Sequence, residues 1–204
     1  MTLPTGNDQL NNQPDDSRNI SLSNRRVIVA VTGGIACYKT AAIVSRLTQS
    51  GCEVRVLMTE AASQFITPLT LQTLSGNPVR SSIWQTDEHP DVKHIGLARW
   101  CDIMIIAPAS ANIIAKIAHG LADDIVSLVA LALPQATPRL IAPAMNAQMW
   151  HNPVTQQNIT TLKNLLGCHL VGPEEGWQAC RSSGMGRMSE PETIYNTAVE
   201  LLTK

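Results

Sequence analysis

The chain has 204 residues, a formal net charge of −1, and 3% aromatic residues within a hydrophobic fraction of 44%. A near-neutral chain of this length is typical of one α/β domain with an aliphatic core, and it lacks the basic character that nucleic-acid binding requires. No apolar run reaches the roughly 18 residues of a membrane span, so we expect neither a membrane nor a nucleic-acid partner. The five cysteines form no C-x-x-C pair, which indicates reduced thiols in the cytoplasm rather than disulfides or zinc.

In chain order, a polar segment over residues 1–24 is predicted to be a disordered extension, followed by one domain over residues 25–204. Short β-branched runs predict strands over residues 26–31, 53–58, 102–107, 139–142 and 168–171. Apolar residues at helical spacing predict helices over residues 36–50, 68–74, 112–119, 123–133, 154–166 and 190–202. Because strands alternate with helices, the sequence predicts a doubly wound parallel sheet.

A glycine turn follows the first predicted strand, where Thr32 is succeeded by Gly33, Gly34, Ile35 and Ala36. Glycines let the backbone approach a ligand closely, and the next helix offers its first N–H groups to an anion. The turn lacks the G-x-G-x-x-G pattern of dinucleotide sites, so a mononucleotide phosphate fits better. An ordinary strand-to-helix turn is the alternative.

Short polar side chains follow two further strands, namely Thr59 after the second and Ser110 and Asn112 after the third. Since parallel strands present their carboxyl ends at one edge of the sheet, these groups could bind a phosphate, a ribityl chain and the polar edge of a ring. Each is alternatively a helix cap.

Asn146 follows the fourth strand, between Met145 and a segment that contains Met149 and Trp150. Its amide offers donors and an acceptor, so it could hold a ligand carboxylate or amide within an apolar lining. The alternative is an N-cap asparagine beside core side chains.

Two further residues could transfer protons. His94 precedes a predicted helix, and imidazole accepts and returns protons near neutral pH. Cys180 stands in a segment over residues 177–188 whose two later glycines predict a mobile lid over a closed site. A structural histidine and a surface loop with an incidental thiol are the alternatives.

Taken in this order, these segments resemble the homo-oligomeric flavin-containing cysteine decarboxylases. The match rests on residues 32–36, His94, residues 108–112, residues 143–146 with Met149 and Trp150, and residues 180–188. The two Pro-Ala motifs, at residues 108–109 and 143–144, are specific when they occur together. The resemblance covers about residues 26–191, nearly the whole predicted domain.

The resemblance implies a flavodoxin-like fold that binds FMN and assembles as a trimer or as a dodecamer built from trimers. In such trimers the flavin lies at a subunit interface, so His94 is expected to act on a flavin held mainly by a neighbouring subunit. The implied chemistry begins with oxidation of a substrate cysteine side chain to a thioaldehyde, continues with loss of carbon dioxide, and ends with reduction of the resulting ene-thiol.

The resemblance also implies roles for individual residues. His94 is the expected base, Cys180 is the expected acid in the final reduction, and Asn146 is expected to grip the substrate beside its carboxylate. Met145, Ala179 and Arg181 complete the expected substrate site. The expected FMN-binding residues are Gly33, Gly34, Ile35, Ala36, Thr59, Phe65, Ser110, Ala111, Asn112 and Ala144.

Within the family, the match favours members that act on 4′-phosphopantothenoylcysteine in coenzyme A biosynthesis, with a separate phosphopantothenate–cysteine ligase supplying the substrate. Two alternatives stay open: a decarboxylase of a peptide's C-terminal cysteine, as in lanthipeptide biosynthesis, and a flavin-binding regulatory subunit. The cysteine segment departs from the family pattern, because Arg181 and Ser182 replace the usual Gly-Asp after Cys180. Arg181 could instead contact a substrate phosphate.

Overall fold

The computed structural model describes residues 22–84 and 94–204. The predicted extension therefore lies outside the described residues except for its last three positions. Leu22 is only 1% exposed, and its carbonyl accepts a hydrogen bond from the Arg25 N–H at 3.0 Å. The packed domain thus includes Leu22, ahead of the predicted boundary.

A five-stranded parallel sheet forms the centre of the molecule. Its strands are β1 (Arg26–Val31), β2 (Glu53–Met58), β3 (Ile103–Ala109), β4 (Arg139–Pro143) and β5 (His169–Leu170). They lie in the order β2-β1-β3-β4-β5, and every neighbouring pair is parallel. This is the flavodoxin-like strand order, with its switch point between β1 and β3. The predicted fold class is confirmed.

Helices cover both faces of the sheet. They are α1 (Cys37–Gln49), α2 (Pro68–Ser75), α3 (His94–Trp100), α4 (Ala111–His119), α5 (Ile125–Ala132), α6 (Ala147–His151), α7 (Pro153–Asn164) and α8 (Pro191–Leu202). A 3₁₀ helix, Glu60–Gln64, follows β2. None of the helices in these two stretches of chain has the length and hydrophobicity that crossing a membrane requires.

Residues of β1 alternate between two cores, as expected for a strand buried on both faces. Val27 and Val29 belong to the core beneath α1 and α8, whereas Ile28 belongs to the core beneath α3, α4, α5 and α7. Both cores consist mainly of aliphatic side chains, in keeping with the low aromatic content. The two cores fix the sheet rigidly, and the loops at its carboxyl edge rest on this frame.

Strand β3 extends two residues beyond its predicted end at Ala107. Pro108 has no N–H to donate to a strand ladder, and the pairing with β4 shifts register between Ile106 and Ala109. The carbonyls at this bulge turn towards the first strand and helix. Ala107 O accepts from Thr40 Oγ1 at 2.7 Å, and Pro108 O accepts from Thr32 Oγ1 at 2.7 Å.

The segment predicted to be a mobile lid is an antiparallel hairpin, which we call the clamp hairpin (residues 174–187). Its strands are β6 (Glu174–Trp177) and β7 (Ser183–Arg187), and within the described residues they pair only with each other. The short helix α6 was also not predicted. Each of these helices and strands is only four or five residues long, so none of them produces a clear periodic pattern in the sequence.

Candidate functional site

Hydrogen bonds join the exits of four neighbouring strands into one continuous edge. Thr59 N–H donates to Val31 O at 3.0 Å, which links the exit of β2 to that of β1. Ser110 N–H donates to Thr32 Oγ1 at 3.0 Å, which links β3 to β1 at the switch point. Ala144 N–H donates to Ala109 O at 3.0 Å and so links β4 to β3. The structure therefore brings the predicted strand-exit residues together at one edge.

The two glycines of the turn after β1 occupy different surroundings. A Cβ placed on Gly33 would lie 2.6 Å from Ala61 Cβ, so Gly33 permits the 3₁₀ helix to pack against the turn. A Cβ on Gly34 would meet no atom within 4 Å. Gly34 therefore faces open space, next to the 59% exposed side chain of Ile35.

Helix α1 begins at this turn without a side-chain cap. Its N-cap residue is Ala36, no side chain accepts a hydrogen bond there, and its first turn contains no acidic residue. The first N–H groups of a helix attract anions, and nothing in the first turn of α1 opposes a negative charge.

Thr59 and Ser110 are helix caps, the alternative that the sequence left open for each. Thr59 Oγ1 accepts from Ala62 N–H at 3.3 Å, and Ser110 Oγ accepts from Ile113 N–H at 3.4 Å. Each hydroxyl still carries a hydrogen that it can donate elsewhere. Asn112 is exposed on α4, as is Phe65 after the 3₁₀ helix, while Ala111 and Ala144 are half-buried. These caps do not exclude a ligand role, which stays a prediction.

Asn146 is the N-cap of α6, and its amide group also contacts Cys180. Its Oδ1 accepts from Gln148 N–H at 2.7 Å, while its Nδ2 donates to Cys180 Sγ at 3.3 Å. The cap interpretation is thus confirmed. The contact with Cys180 joins two residues that are 34 positions apart in the chain. The second hydrogen on Asn146 Nδ2 is available to a carboxylate.

The clamp hairpin is seated directly on the exit of β4. Met145 N–H donates to Gly186 O at 3.0 Å, and Ala147 N–H donates to Gln178 Oε1 at 3.2 Å. Gln178 is only 8% exposed, and its Nε2 donates to the carbonyls of Gly184 and Met185 at 3.2 and 3.1 Å. This buried amide ties the hairpin turn to the fourth strand exit. No local sequence pattern indicates Gln178, because its closest partners are backbone groups that only folding brings near it.

Charged side chains fasten the outer end of the hairpin to α1. Lys39 Nζ donates to Met188 O at 3.1 Å and to Glu190 Oε1 at 3.0 Å, with its side chain only 8% exposed. Arg187 forms ion pairs with Glu174 at 3.2 Å and with Glu190 at 3.3 Å. The hydrogen bonds from Lys39 lower the pKa of the Glu190 carboxyl. The clamp hairpin is therefore held at both ends.

Cys180 lies at the exposed tip of the hairpin, beside Ala179 and Arg181, which are also exposed. Hydrogen bonds from the side chains of Ser182 and then Asn146 lower the pKa of the Cys180 thiol. Burial acts in the opposite direction on other cysteines and raises the pKa of Cys101 to about 12 and that of Cys168 to about 11. Cys180 is thus the thiol best suited to proton transfer.

His94 is not hydrogen-bonded to this cluster. It is the first residue of α3, half-buried, and within the described parts of the chain it forms no hydrogen bond with Asn146 or Cys180. The expectation that His94 serves a site on a neighbouring subunit stays a prediction. Among the described residues, no group of three or more His, Cys, Asp or Glu side chains could hold a metal ion.

Gly186→Ala is expected to unseat the clamp hairpin. Gly186 has a φ of +141°, and its added Cβ would collide with the Met145 carbonyl oxygen and lie 2.9 Å from Gln178 Nε2. Overpacking of this kind costs about 2 kcal/mol, so we expect Tm to fall by roughly 4–8 °C in a thermal melt.

Gly167→Ala is the matched control for Gly186→Ala, since Gly167 has a φ of +63° but nothing within 4 Å of an added Cβ. It carries the backbone penalty without the collision. Equal melting temperatures for the two variants would contradict the close packing of Gly186 against Met145 and Gln178.

The fold and the polar cluster at its switch point define a class, the flavodoxin-like α/β proteins with a site at the carboxyl edge of the sheet. Residues 16–203 match the flavoprotein family, and the chain belongs to that family.

Two curated relatives are similar over most of this chain. The probable phosphopantothenoylcysteine decarboxylase of Streptococcus mutans is 47% identical over 178 residues, covering 87% of this chain and 99% of that protein. The coenzyme A biosynthesis bifunctional protein CoaBC of Haemophilus influenzae is 45% identical over 185 residues, covering 91% of this chain and 46% of that protein. The chain therefore spans about half the length of the bifunctional relative.

Solved structures have the same fold. A PPC decarboxylase, solved as a cysteine-to-serine mutant complexed with pantothenoylaminoethenethiol, superposes with a TM-score of 0.77 at 33% identity, covering 89% of this chain and 100% of that chain. The FMN binding protein AtHal3 superposes with a TM-score of 0.73 at 34% identity, covering 87% of this chain and 96% of that chain. The FMN-dependent cysteine decarboxylase SpaF superposes with a TM-score of 0.75 at 28% identity, covering 89% of this chain and 99% of that chain.

Proposed function

We propose that this protein is an FMN-dependent decarboxylase that converts 4′-phosphopantothenoylcysteine to 4′-phosphopantetheine in coenzyme A biosynthesis. The observation that carries the proposal is the contact between the Asn146 amide and the Cys180 thiol, 3.3 Å apart at the exit of β4. One group suits a substrate carboxylate and the other is a proton donor. The similarity to the Streptococcus mutans decarboxylase over 99% of that protein supports the same conclusion.

The residues at the switch point fit FMN. The uncapped start of α1, with no acidic side chain in its first turn, suits the phosphate, and the open space at Gly34 lets a ligand approach the backbone. Exposed Ile35 and Phe65 offer apolar surface to the ring system. The hydroxyls of Thr59 and Ser110 can donate to its polar atoms. FMN bound there would supply the redox chemistry, because it can take up two electrons from the substrate's cysteine side chain and later return them.

Gly34→Ala is expected to weaken FMN binding without affecting the fold. The added methyl group meets no protein atom within 4 Å, so any effect must come from a ligand that approaches the turn. We expect the Kd for FMN, measured by fluorescence titration, to rise about tenfold or more, which corresponds to about 1.4 kcal/mol. The Tm of the FMN-free protein should not change.

Gly33→Ala, in contrast, should lower the Tm even without FMN, because its methyl group would lie 2.6 Å from Ala61 Cβ. FMN affinity that is unaltered in Gly34→Ala would argue against a flavin at this turn.

The chain's own residues supply the remaining steps. Asn146 holds the substrate by its carboxylate, aided by Met145, while Ala179 and Arg181 of the clamp hairpin cover it. Arg181 could also contact the substrate phosphate.

His94 is the base in the oxidation of the cysteine side chain. The C=S group formed there is attached to the carbon that carries the carboxylate, so it takes up the electron pair that carbon dioxide leaves behind. Cys180 then protonates carbon as the ene-thiol is reduced.

An oligomer is part of the proposal. Large apolar side chains are exposed around the starts of α1 and α2 and after the 3₁₀ helix, namely Ile35, Tyr38, Leu69 and Phe65. Burial of such a surface favours self-association, and a trimer, alone or within a dodecamer built from trimers, would bring His94 of one subunit to the flavin of the next. The substrate would come from a separate phosphopantothenate–cysteine ligase.

The experiment that tests the function combines a spectrum with a product analysis. We expect the purified protein to be yellow, or to become yellow with added FMN, and to release carbon dioxide from 4′-phosphopantothenoylcysteine. Mass spectrometry should find the saturated thiol. Turnover of a peptide with a C-terminal cysteine, with an ene-thiol as its final product, would instead identify a peptide decarboxylase like SpaF. A colourless protein that cannot bind FMN would exclude both enzymes, and a flavin-bound but inactive protein would favour the regulatory role.

A further inference from the structure

Three polar side chains surround the sulfur atom of Cys180. Asn146 Nδ2 donates to Sγ at 3.3 Å, Ser182 Oγ lies 3.0 Å from Sγ, and Gln178 Oε1 accepts from it at 3.6 Å. Two of these groups belong to the same hairpin turn as Cys180, and the third comes from the exit of β4. The sulfur is therefore held in place by both parts of the candidate site, although the side chain is exposed.

Other hydrogen bonds hold the two amide side chains in opposite orientations towards the sulfur. Asn146 Oδ1 is occupied by the N–H of Gln148 at 2.7 Å, so only its NH₂ group can face the sulfur. Gln178 Nε2 donates to Gly184 O at 3.2 Å, and its Oε1 accepts from Ala147 N–H at 3.2 Å, so it presents an acceptor. Asn146 is a permanent donor to Sγ, and Gln178 is a permanent acceptor.

Ser182 is the one adjustable partner among these three. Its hydroxyl accepts from the thiol S–H, or turns and donates to the sulfur once the proton has left. The thiolate would then receive two hydrogen bonds, from Ser182 and Asn146, without any movement of the backbone. Charge-assisted hydrogen bonds of this kind are about twice as strong as neutral ones.

We propose that Ser182 is a positioning residue that stabilises the thiolate form of Cys180 and so sets how readily this thiol gives up its proton. The proposal rests on the proposed function for where that proton goes. The S–H bond breaks, the electron pair stays on sulfur, and the proton joins one carbon of the ene-thiol while the other carbon gains a hydride, which reduced FMN would supply. Solvent then reprotonates the exposed thiolate.

The electrostatics of the hairpin support this assignment. Hydrogen bonds, with that from Ser182 the largest, lower the pKa of Cys180. The titratable and charged side chains on the hairpin and on α6 are Glu174, Glu175, Arg181, Arg187 and His151. Glu174 and Arg187 neutralise each other in an ion pair at 3.2 Å. A serine in the position where the family pattern has an aspartate therefore supplies a donor, whereas a carboxylate would only accept and repel a thiolate.

The test is the pH dependence of Cys180 alkylation by iodoacetamide in the FMN-loaded protein, without substrate. The other four cysteines are buried, so Cys180→Ser measures the background. We expect Ser182→Ala to shift the midpoint upwards by about one pH unit, which means about tenfold less thiolate near neutral pH. Ser182→Thr, which keeps the hydroxyl, should restore the wild-type midpoint.

Ser183→Ala is the matched control, because Ser183 is the next residue, is exposed, and begins β7. It should leave the midpoint unchanged. An unshifted midpoint in a folded Ser182→Ala protein would overturn the proposal, whatever the protein catalyses. Alkylation does not depend on turnover. Failure of the decarboxylase assay would therefore overturn the proposed function, whereas the pH midpoint of Cys180 alkylation could still be interpreted.

Discussion

His94→Asn is expected to retain bound FMN and to lose the release of carbon dioxide. His94 begins α3 and is not among the residues that fit FMN, which follow β1, β2 and β3, so the substitution leaves those residues unchanged. Asparagine keeps a polar side chain but cannot take up a proton near neutral pH. Loss of a general base typically costs about 10²–10⁴ in rate, and we expect kcat for carbon dioxide release to fall by that order.

The measurement is carbon dioxide release together with the absorption spectrum of the same sample. His169→Asn is a suitable control, because His169 is exposed on the edge strand β5. Near wild-type turnover in His94→Asn would remove His94 from the mechanism. Loss of the flavin spectrum would instead give His94 a role in cofactor binding.

Cys180→Ser is expected to decarboxylate the substrate and then stop at the oxidised ene-thiol. A serine hydroxyl can occupy the same place beside Asn146, but it is a much weaker acid than a thiol whose pKa is lowered by Ser182 and Asn146. The final protonation should therefore fail while the earlier steps proceed.

Mass spectrometry of the product decides this prediction, since the ene-thiol is two mass units lighter than the saturated thiol. Ser183→Ala, a change in the same hairpin that leaves the thiol intact, should give the saturated product. If Cys180→Ser forms the saturated thiol at the wild-type rate, another group must donate the proton.

The sequence by itself determined the parallel sheet. Strand β1 has its predicted bounds because residues 27–31 are a continuous apolar run, buried on both faces between two layers of helices. Strand β2 also has its predicted bounds, although Arg55 interrupts its apolar residues. The predicted strand-exit residues also lie together at the carboxyl edge, as parallel strands require. This part of the site follows from local patterns and from the direction of the strands.

The tertiary structure alone decided the clamp hairpin and the surroundings of its thiol. The strands β6 and β7 contain glycines and polar residues without alternation, so pairing depends on their seat against Met145 and on the buried amide of Gln178. A hydrogen bond such as that between Asn146 and Cys180 joins positions 34 residues apart. No local pattern encodes such a contact, because its geometry depends on where a separate strand exit and a hairpin tip meet after folding.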